Sequence, residues 1–121
     1  MPKPPPTLRT RKTEDKYLKI TESRKNSKFC SLCKEKKILK YFKHWKIIKN
    51  NFPYDKIAKT HHMILPFRHV RGKELSKKEL EEFKNIKKSY INNGKYHFIM
   101  EATKKYKTIP DHFHLHLITL K

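Results

Sequence analysis

The sequence predicts an α+β domain in which one main helix packs on an antiparallel sheet. Three observations support this fold class. A capped segment with helical periodicity covers about residues 77–93, apolar segments of strand character precede and follow it, and the strictly alternating segment 111–120 comes near the end of the chain. The 121 residues suffice for one domain with one modest core.

Two segments precede the predicted domain. Residues 1–12, MPKPPPTLRTRK, combine four prolines with basic side chains and predict an extended, polyproline-like arm. Residues 13–28 are expected to contain a short helix, over about 13–26, and a linker. The domain then covers residues 29–121 and begins with a tight Cys-x-x-Cys turn in FCSLCKEKK.

Four segments have the composition of strands. YFKHWKIIKNNF (41–52) mixes aromatic and β-branched residues, and HHMILPFRHV (61–70) is expected to stop at Pro66. KYHFIMEA (95–102) follows the main helix, and DHFHLHLITL (111–120) is the last predicted strand.

The main helix has the clearest local pattern. Ser76 and Glu79 form a capping box, and Gly94 is placed to end the helix. Between them, apolar residues recur at helical spacing and predict the face that packs on the sheet: Leu80, Phe83, Ile86, Tyr90 and Ile91.

The charge balance indicates a polyanionic partner. The formal net charge is +20, from 31 Lys and Arg against 11 Asp and Glu. A field of this size attracts nucleic acid, nucleotide phosphates or an anionic surface. The alternative is biased codon usage, since most of the basic residues are lysines and Ile and Asn are also common, with no partner implied.

Cysteine usage and hydropathy favour an intracellular, reducing compartment, most simply the cytoplasm. The two cysteines in CSLC, Cys30 and Cys33, are too close for a secreted disulfide framework and suit a metal or redox role. No apolar run approaches the roughly 20 residues of a membrane span. The first residues lack the apolar region of a secretory signal.

The stretch HFHLHLI, residues 112–118, places three histidines in strict alternation with apolar residues. On a strand, His112, His114 and His116 would share one face at a spacing of about 6.6 Å. A half-buried strand with a polar outer face is the ordinary explanation, but an all-histidine face is improbable by chance. A metal-binding set and a nucleophilic histidine that attacks phosphorus are the two chemical alternatives.

This stretch matches the His-φ-His-φ-His-φ-φ hallmark, with φ apolar, of the histidine triad (HIT) superfamily of nucleotide hydrolases and transferases. KTHHMILPFRHV, NNFPYD and CSLC resemble three further family segments, in the family's order. The chain is similar in particular to the zinc-containing branch and to the diadenosine polyphosphate hydrolases and phosphorylases. The resemblance covers roughly residues 29–118 and implies a sheet of about five strands.

The resemblance also implies a structural Zn²⁺ site. The family's ligands match Cys30, Cys33, His69 and His112, and two thiolates with two imidazoles make a sound tetrahedral set. The alternatives are a pair of buried or redox thiols for the cysteines and an ordinary surface position for His69.

By the same resemblance, His114 is the nucleophile. It would attack the α-phosphorus of a nucleoside phosphate or dinucleoside polyphosphate and form a nucleotidyl-histidine intermediate. His116 would stabilise charge on the phosphate oxygens. His61 matches the family's upstream histidine, although the doublet with His62 leaves the register open by one residue, and a surface position is the alternative.

Three residues are candidates for nucleotide binding. Asn50 would contact the ribose, or else form a turn; Phe52 would flank the base, or else pack in the core. The segment EATKKYKTIPDH before the triad lacks the glycines and the Gly-Gln pair of most active family members, so Thr108 would contact phosphate in their place, or else Lys104, Lys105 and Lys107 would supply charge.

Two functions therefore stand as hypotheses. The first is a HIT-type hydrolase or nucleotidyltransferase with a nucleotide substrate. The second is a non-catalytic HIT-fold protein that binds RNA within a ribonucleoprotein, with the basic arm 1–12 as an anchor. A homodimer is expected in isolation, and no membrane association.

Overall fold

Five strands form one antiparallel sheet, which confirms the predicted α+β fold class. The computed structural model describes residues 7–24, 30–104 and 109–121, with side chains for all of these except residues 21–24. The strands are β1 (Ile38–Tyr41), β2 (Trp45–Lys49), β3 (Ala58–Pro66), β4 (Phe98–Met100) and β5 (Leu115–Leu120). Their order in the sheet is β1-β2-β3-β5-β4, and every neighbouring pair is antiparallel.

Strand boundaries differ from prediction where a turn interrupts an apolar segment. The single strand predicted over 41–52 contains a turn followed by β2, because the Phe42 N–H donates to the Trp45 carbonyl at 2.8 Å and reverses the chain. Most of β1 precedes that segment. Pro66 is the last residue of β3, which is the expected stop, whereas the strand begins at Ala58, before the predicted segment 61–70. β4 is likewise shorter than the predicted segment 95–102.

The last predicted strand also begins late. β5 starts at Leu115, after a turn at residues 110–112, so His112 and His114 precede the strand and only His116 lies in it. The Phe113 N–H donates to the carbonyl of Val70, a loop residue, at 2.7 Å instead of joining the β3–β5 ladder. The expected row of three histidines on one regular strand is therefore wrong.

The main helix, α3 (Lys77–Ser89), begins at the predicted capping box. The Ser76 hydroxyl accepts from the Glu79 N–H at 3.1 Å, and the Glu79 carboxylate accepts from the Ser76 N–H at 2.8 Å. A 3₁₀ turn over Ile91–Asn93 continues the helix to Gly94, whose φ of 94° confirms the predicted end. In the part of the chain that is described, no helix has both the length and the apolarity needed to cross a membrane.

One face of the sheet packs against α3 and forms the main core. Trp45 of β2 is fully buried, and its Nε1–H donates to the Glu79 carbonyl of the helix at 2.8 Å. Leu80 is 52% exposed, in contrast to its prediction, because the buried row of the helix runs through Glu79, Phe83 and Ile86. The other buried members of this core are Ile47, Ile64, Ile91, Tyr96, Leu115 and Leu117.

The opposite face of the sheet contains the residues that were predicted for chemistry. Here a smaller core of Ile48, Met63 and Leu65 packs against Leu32 of the short helix α2 (Ser31–Lys34). Because side chains alternate along a strand, His61 shares this face with Met63. His116 lies opposite Met63 in the β3–β5 register, which brings it to the same face.

The N-terminal segment docks beside this second face. Helix α1 (Arg11–Arg24) begins inside the predicted arm 1–12, and residues 1–6 of that arm lie outside the described residues. The Asp55 carboxylate accepts from the Thr10 N–H at 2.6 Å, from the Thr10 hydroxyl at 2.9 Å and from the Thr13 hydroxyl at 2.5 Å. Burial opposes ionisation, but these hydrogen bonds outweigh it and hold the pKa of Asp55 at about 2. The carboxylate thus caps α1 from a distant loop.

Candidate functional site

The four predicted metal ligands come together at one end of the second face. They form the metal group, which consists of Cys30, Cys33, His69 and His112. Their ligand atoms all lie within 4.8 Å of one another, and the group could hold a metal ion. The His112 Nδ1 lies 3.5 Å from the Cys30 Sγ and 3.3 Å from the Cys33 Sγ, and the His69 Nδ1 lies 3.3 Å from the Cys33 Sγ. Three chain segments meet here: the α2 turn, the loop after β3 and the turn before β5.

The tautomer of His112 suits a metal ligand. Its Nε2 lies 2.9 Å from the carbonyl of Pro66, and a carbonyl can only accept, so Nε2 is the protonated nitrogen. The lone pair is then on Nδ1, the atom that faces both sulfurs. A backbone acceptor behind a ligating imidazole is the usual device that fixes ring orientation at metal sites.

The charges around the four ligands make metal binding dependent on pH. Cys33 is exposed as a residue, but partial desolvation of its sulfur raises the pKa of the thiol, and the neighbouring Cys30 thiol raises it further. Burial lowers the pKa of His112, which keeps the ring neutral and able to ligate. The buried Lys46 ammonium, which donates to the Leu32 carbonyl at 3.3 Å, acts against the thiol shift. A metal ion held by these residues would therefore have to displace thiol protons.

The three predicted catalytic histidines form a second cluster, beside the metal group. The His61 Nε2 and the His116 Nδ1 lie 2.8 Å apart, and the His114 and His116 ring centroids lie 5.2 Å apart. His61 is only 4% exposed, so the alternative of a surface position is excluded. His62 points to the other face of the sheet, where its Nδ1 lies 2.6 Å from the Tyr96 hydroxyl.

Backbone contacts fix the protons of this cluster. The Tyr54 N–H donates to the Nδ1 of His61 at 3.0 Å, so neutral His61 bears its proton on Nε2. That proton points to the Nδ1 of His116, while the Asn50 Nδ2, 3.3 Å from the His61 Nε2, donates to the Met63 Sδ at 3.6 Å. Neutral His116 must therefore bear its own proton on Nε2. The His116 Nε2 lies 3.4 Å from the Tyr54 hydroxyl. His116 is thereby prepared to donate a hydrogen bond from Nε2.

His114 has the opposite arrangement. Its Nδ1 lies 2.9 Å from the carbonyl oxygen of His112, so Nδ1 donates and the lone pair of the neutral ring is on Nε2. An imidazole with its lone pair on a defined nitrogen is a competent nucleophile. One cluster thus contains a nucleophilic nitrogen and, on the neighbouring ring, a hydrogen-bond donor.

Burial keeps the two inner rings neutral. It lowers the pKa of His61 to about 3, and the positive charge of Arg9 adds to the shift. Burial also lowers the pKa of His116 to about 3, with the His61 ring as the next cause. The hydrogen-bond chain from Tyr54 through both rings therefore keeps its direction at neutral pH.

A cleft opens over this cluster, with an empty volume of about 610 Å³ that includes its open mouth. His114 and His116 line it together with two of the predicted nucleotide-binding residues, Asn50 and Phe52. The Asn50 Oδ1 accepts from the Phe52 N–H at 2.7 Å, so this side chain does form a turn, as the alternative for Asn50 held. Thr108 lies outside the described residues.

Three residues at the site were not predicted. Tyr54 orients His61, and its position in the NNFPYD stretch was the available signal. Arg9 lines the cleft from the N-terminal segment, and Lys46 lies beside the metal group. Neither cation is locally distinguishable among 31 Lys and Arg residues.

The comparisons with known proteins leave the family open. No protein-family model matches the chain, and no curated protein matches it significantly. The function must therefore be argued from the geometry of the site.

Proposed function

We propose that the chain is a nucleotide hydrolase or nucleotidyltransferase of the HIT type, with His114 as its nucleophile. The observation that supports this best is the pair of complementary tautomers in one cleft. His114 has its lone pair on Nε2, and His116 has a proton on Nε2. Attack on an electrophilic phosphorus requires the lone pair, and stabilisation of the phosphoryl oxygens requires the N–H donor.

In the proposed first step, the Nε2 of His114 bonds to the α-phosphorus and the bond from phosphorus to the leaving group breaks. The leaving group departs with that electron pair. The ring becomes cationic in the nucleotidyl-histidine intermediate, and the His112 carbonyl stabilises the charge by accepting from Nδ1–H. Water then attacks phosphorus, releases the nucleotide and His114, and loses one proton to solvent.

The two buried histidines have separate proposed roles. His116 donates its Nε2–H to a phosphoryl oxygen, whose charge grows in the transition state. His61 holds His116 in the required tautomer by donating to its Nδ1 at 2.8 Å, and is thus a positioning residue. This chain of hydrogen bonds begins at the Tyr54 N–H, and a backbone N–H can only donate, so the direction of the chain is fixed.

We further propose that the metal group binds Zn²⁺ as a structural ion. Tetrahedral zinc with bonds of about 2.3 Å to sulfur and about 2.0–2.1 Å to nitrogen places sulfur and nitrogen about 3.5 Å apart. The Sγ–Nδ1 distances here are 3.3–3.5 Å. Four protein ligands close the coordination sphere, so the ion would cross-link Cys30, Cys33, His69 and His112 without contacting substrate.

The direct test measures turnover of a fluorogenic adenosine phosphoramidate and of a dinucleoside polyphosphate. The wild type should release product from at least one of them, and His114→Ala should lose all measurable turnover, because no other group forms the bond to phosphorus. A trapped adduct of the nucleotide on His114, located by mass spectrometry, would identify the intermediate.

The matched control is His62→Ala, one position beside His61 but on the other face of the sheet. It should retain most of the wild-type rate. Equal inactivity of the wild type and His114→Ala on mononucleotide, dinucleotide and adenylated nucleic-acid substrates would overturn the proposal.

The net charge of +20 favours a second function, non-catalytic binding of RNA. Such binding would be electrostatic and indifferent to base sequence, so its affinity should fall steeply with salt. Filter binding of a single-stranded RNA at several salt concentrations tests this. His114→Ala should bind as the wild type does, and tight binding that is flat in salt would contradict an electrostatic interaction.

A further inference from the structure

We propose that Arg9, from the segment that precedes the sheet domain, is a phosphate-binding catalytic residue of the histidine cleft. It would contact the substrate's phosphoryl oxygens directly and neutralise the charge that develops there. The inference rests on the proposed function, whose nucleophile it assists. It assigns the N-terminal segment a role in the reaction itself, in place of the role as an RNA anchor that the sequence suggested.

Arg9 lies in the same cleft as the reacting groups. It lines the cleft together with Asn50, His114 and His116, although more than a hundred residues separate it from the histidines. The residue is only 8% exposed. A guanidinium is seldom buried at the wall of a cleft without a partner for its charge.

Aromatic and backbone contacts hold the guanidinium in a fixed plane. Its Nε–H donates to the Phe52 carbonyl at 2.7 Å. Its central carbon lies 4.0 Å from the centroid of the Tyr17 ring and 4.9 Å from that of Tyr54. Tyr54 is also the residue that orients His61, so one side chain contacts both the cation and the buried histidine. A planar, preorganised fork of donors is well suited to phosphate.

Among the side chains that the structure describes, Glu14 balances the charge of Arg9 only in part. Its Nη1 lies 3.5 Å from the Glu14 carboxylate, at the limit of a hydrogen bond, and that oxygen also accepts from the Thr7 hydroxyl at 2.8 Å. Among the described residues, the hydrogen bonds of the guanidinium engage Nε and Nη1, which leaves the donors of Nη2 for a ligand. The field of this cation already acts at the cluster, since it contributes to the lowered pKa values of His61 and His116.

The sequence before the histidines favours phosphate binding by cations. The segment EATKKYKTIPDH contains three lysines but no glycine, the residue typical of loops whose backbone N–H donors bind phosphate closely. An arginine that reaches the cleft from another segment can replace those N–H donors with a formal charge. Burial strengthens the field of such a charge, and Arg9, His61 and His116 are all buried.

The anchoring of the segment makes the inference testable. Thr10 and Thr13 bind Asp55, and the Lys56 N–H donates to the Leu8 carbonyl at 3.0 Å, all independently of the guanidinium. Arg9→Gln should therefore keep the segment docked. Asp55→Asn should weaken the docking while leaving the guanidinium chemically intact.

The first experiment measures binding of AMP and of adenosine by calorimetry, and takes the ratio of their dissociation constants as the contribution of the phosphate. We expect the wild type to prefer AMP by about tenfold or more, as charged hydrogen bonds allow. Arg9→Gln should lose most of this preference, Arg9→Lys should keep part of it, and Asp55→Asn should reduce it. Arg71→Gln is the matched control, because Arg71 is an exposed arginine paired with Glu74, and it should keep the full preference.

Unchanged AMP preference in Arg9→Gln, or no preference in the wild type, would overturn the inference. A melting curve and the helical circular dichroism of each variant separate loss of fold from loss of the cation.

The second experiment measures turnover with the same proteins and His114→Ala, and separates the two proposals. If Arg9 acts on the transition state, Arg9→Gln should lower kcat by about 10²-fold. Turnover that depends on His114 but not on Arg9 would defeat the inference alone. If the protein prefers AMP in a way that depends on Arg9 but turns over no substrate, the proposed enzymatic function is wrong. The phosphate-binding site at Arg9 would then still stand.

Discussion

The metal group and the histidine cleft use the same side chain in two ways, and both draw on residues 112–116. His112 donates from Nε2 to a backbone carbonyl, so its Nδ1 lone pair faces two sulfurs. His116 has its Nδ1 lone pair taken up by His61, so its Nε2–H is directed elsewhere. Both rings are buried, and burial lowers the pKa of each. The hydrogen-bond partner of one ring nitrogen therefore determines whether the other nitrogen presents a lone pair, as in His112, or an N–H, as in His116. The spacing of the histidines in the sequence does not determine this.

The two regions also share one residue. The His112 ring belongs to the metal group, and the His112 carbonyl accepts from the Nδ1–H of His114 at 2.9 Å. The position of that carbonyl follows from the position of the ring. The metal group should therefore stabilise the fold and, to a lesser degree, orient the proposed nucleophile.

The largest expected effect is on stability, from Cys30→Ser. If the group holds Zn²⁺ as proposed, loss of one thiolate would open the coordination sphere, and a structural Zn²⁺ contributes folding free energy directly. We expect the free energy of unfolding to fall by about 3 kcal/mol or more. Denaturant unfolding and metal analysis of protein purified without chelator measure this, with turnover changing less than stability.

The control for this variant is the wild type treated with a chelator, which should fall to the stability of untreated Cys30→Ser. If no metal is present and Cys30→Ser unfolds at the wild-type denaturant concentration, the four residues do not form a metal site.

His116→Ala should instead lower the rate of turnover more than the stability of the fold. Removal of one donor to a charged transition state typically costs about 10²–10³-fold in kcat. Bound metal should be unchanged, because His116 is not in the metal group. His61→Gln should lower kcat less, since it removes only the residue that sets the tautomer. A His116→Ala protein that loses metal together with activity would break the proposed separation.

The buried histidines should also make folding sensitive to acid. The folded pKa of His116 is about 3, below the ordinary value of about 6.5, so the unfolded chain binds more protons between these values. The stabilisation is complete above about pH 6.5 and is lost as the pH falls towards 3, by up to about 1.4 kcal/mol per pH unit. Urea unfolding of the wild type and His116→Gln at pH 7.5, 6.0 and 5.0 measures it. The difference in the free energy of unfolding between the two proteins should decrease as the pH falls. A difference that is the same at all three pH values would contradict a buried, neutral His116.

How much could be predicted from the sequence depended on how local the determining contacts are. Helix α3 was predicted closely because its cap, its periodicity and its end at Gly94 all lie within one segment. The start of β5 was not predicted, since it depends on the hydrogen bond from the Phe113 N–H to the Val70 carbonyl in a distant loop. No pattern in the local sequence indicates that contact.

The candidate site divides in the same way. The four metal ligands were nominated by residue type and by resemblance, and the structure brings them together. The choice of His61 over His62 required the register of β3 against β5. Arg9 reaches the cleft because Asp55 anchors its segment, and that contact between distant residues has no counterpart in local sequence.

The smallest predicted effect comes from Gly94→Ala, remote from both regions. Gly94 has a φ of 94°, where a Cβ is strained, although nothing lies within 4 Å of the added atom. The cost should therefore be about 1 kcal/mol, from the backbone alone. This variant measures how far a modest loss of stability by itself lowers activity. Turnover and bound metal should stay at wild-type levels below the melting transition, as followed by calorimetry and a rate assay on one sample. If turnover falls in parallel with stability, the smaller rate losses of the metal-group variants would reflect general loosening of the domain, and the proposed orientation of His114 by the His112 carbonyl would lose its support.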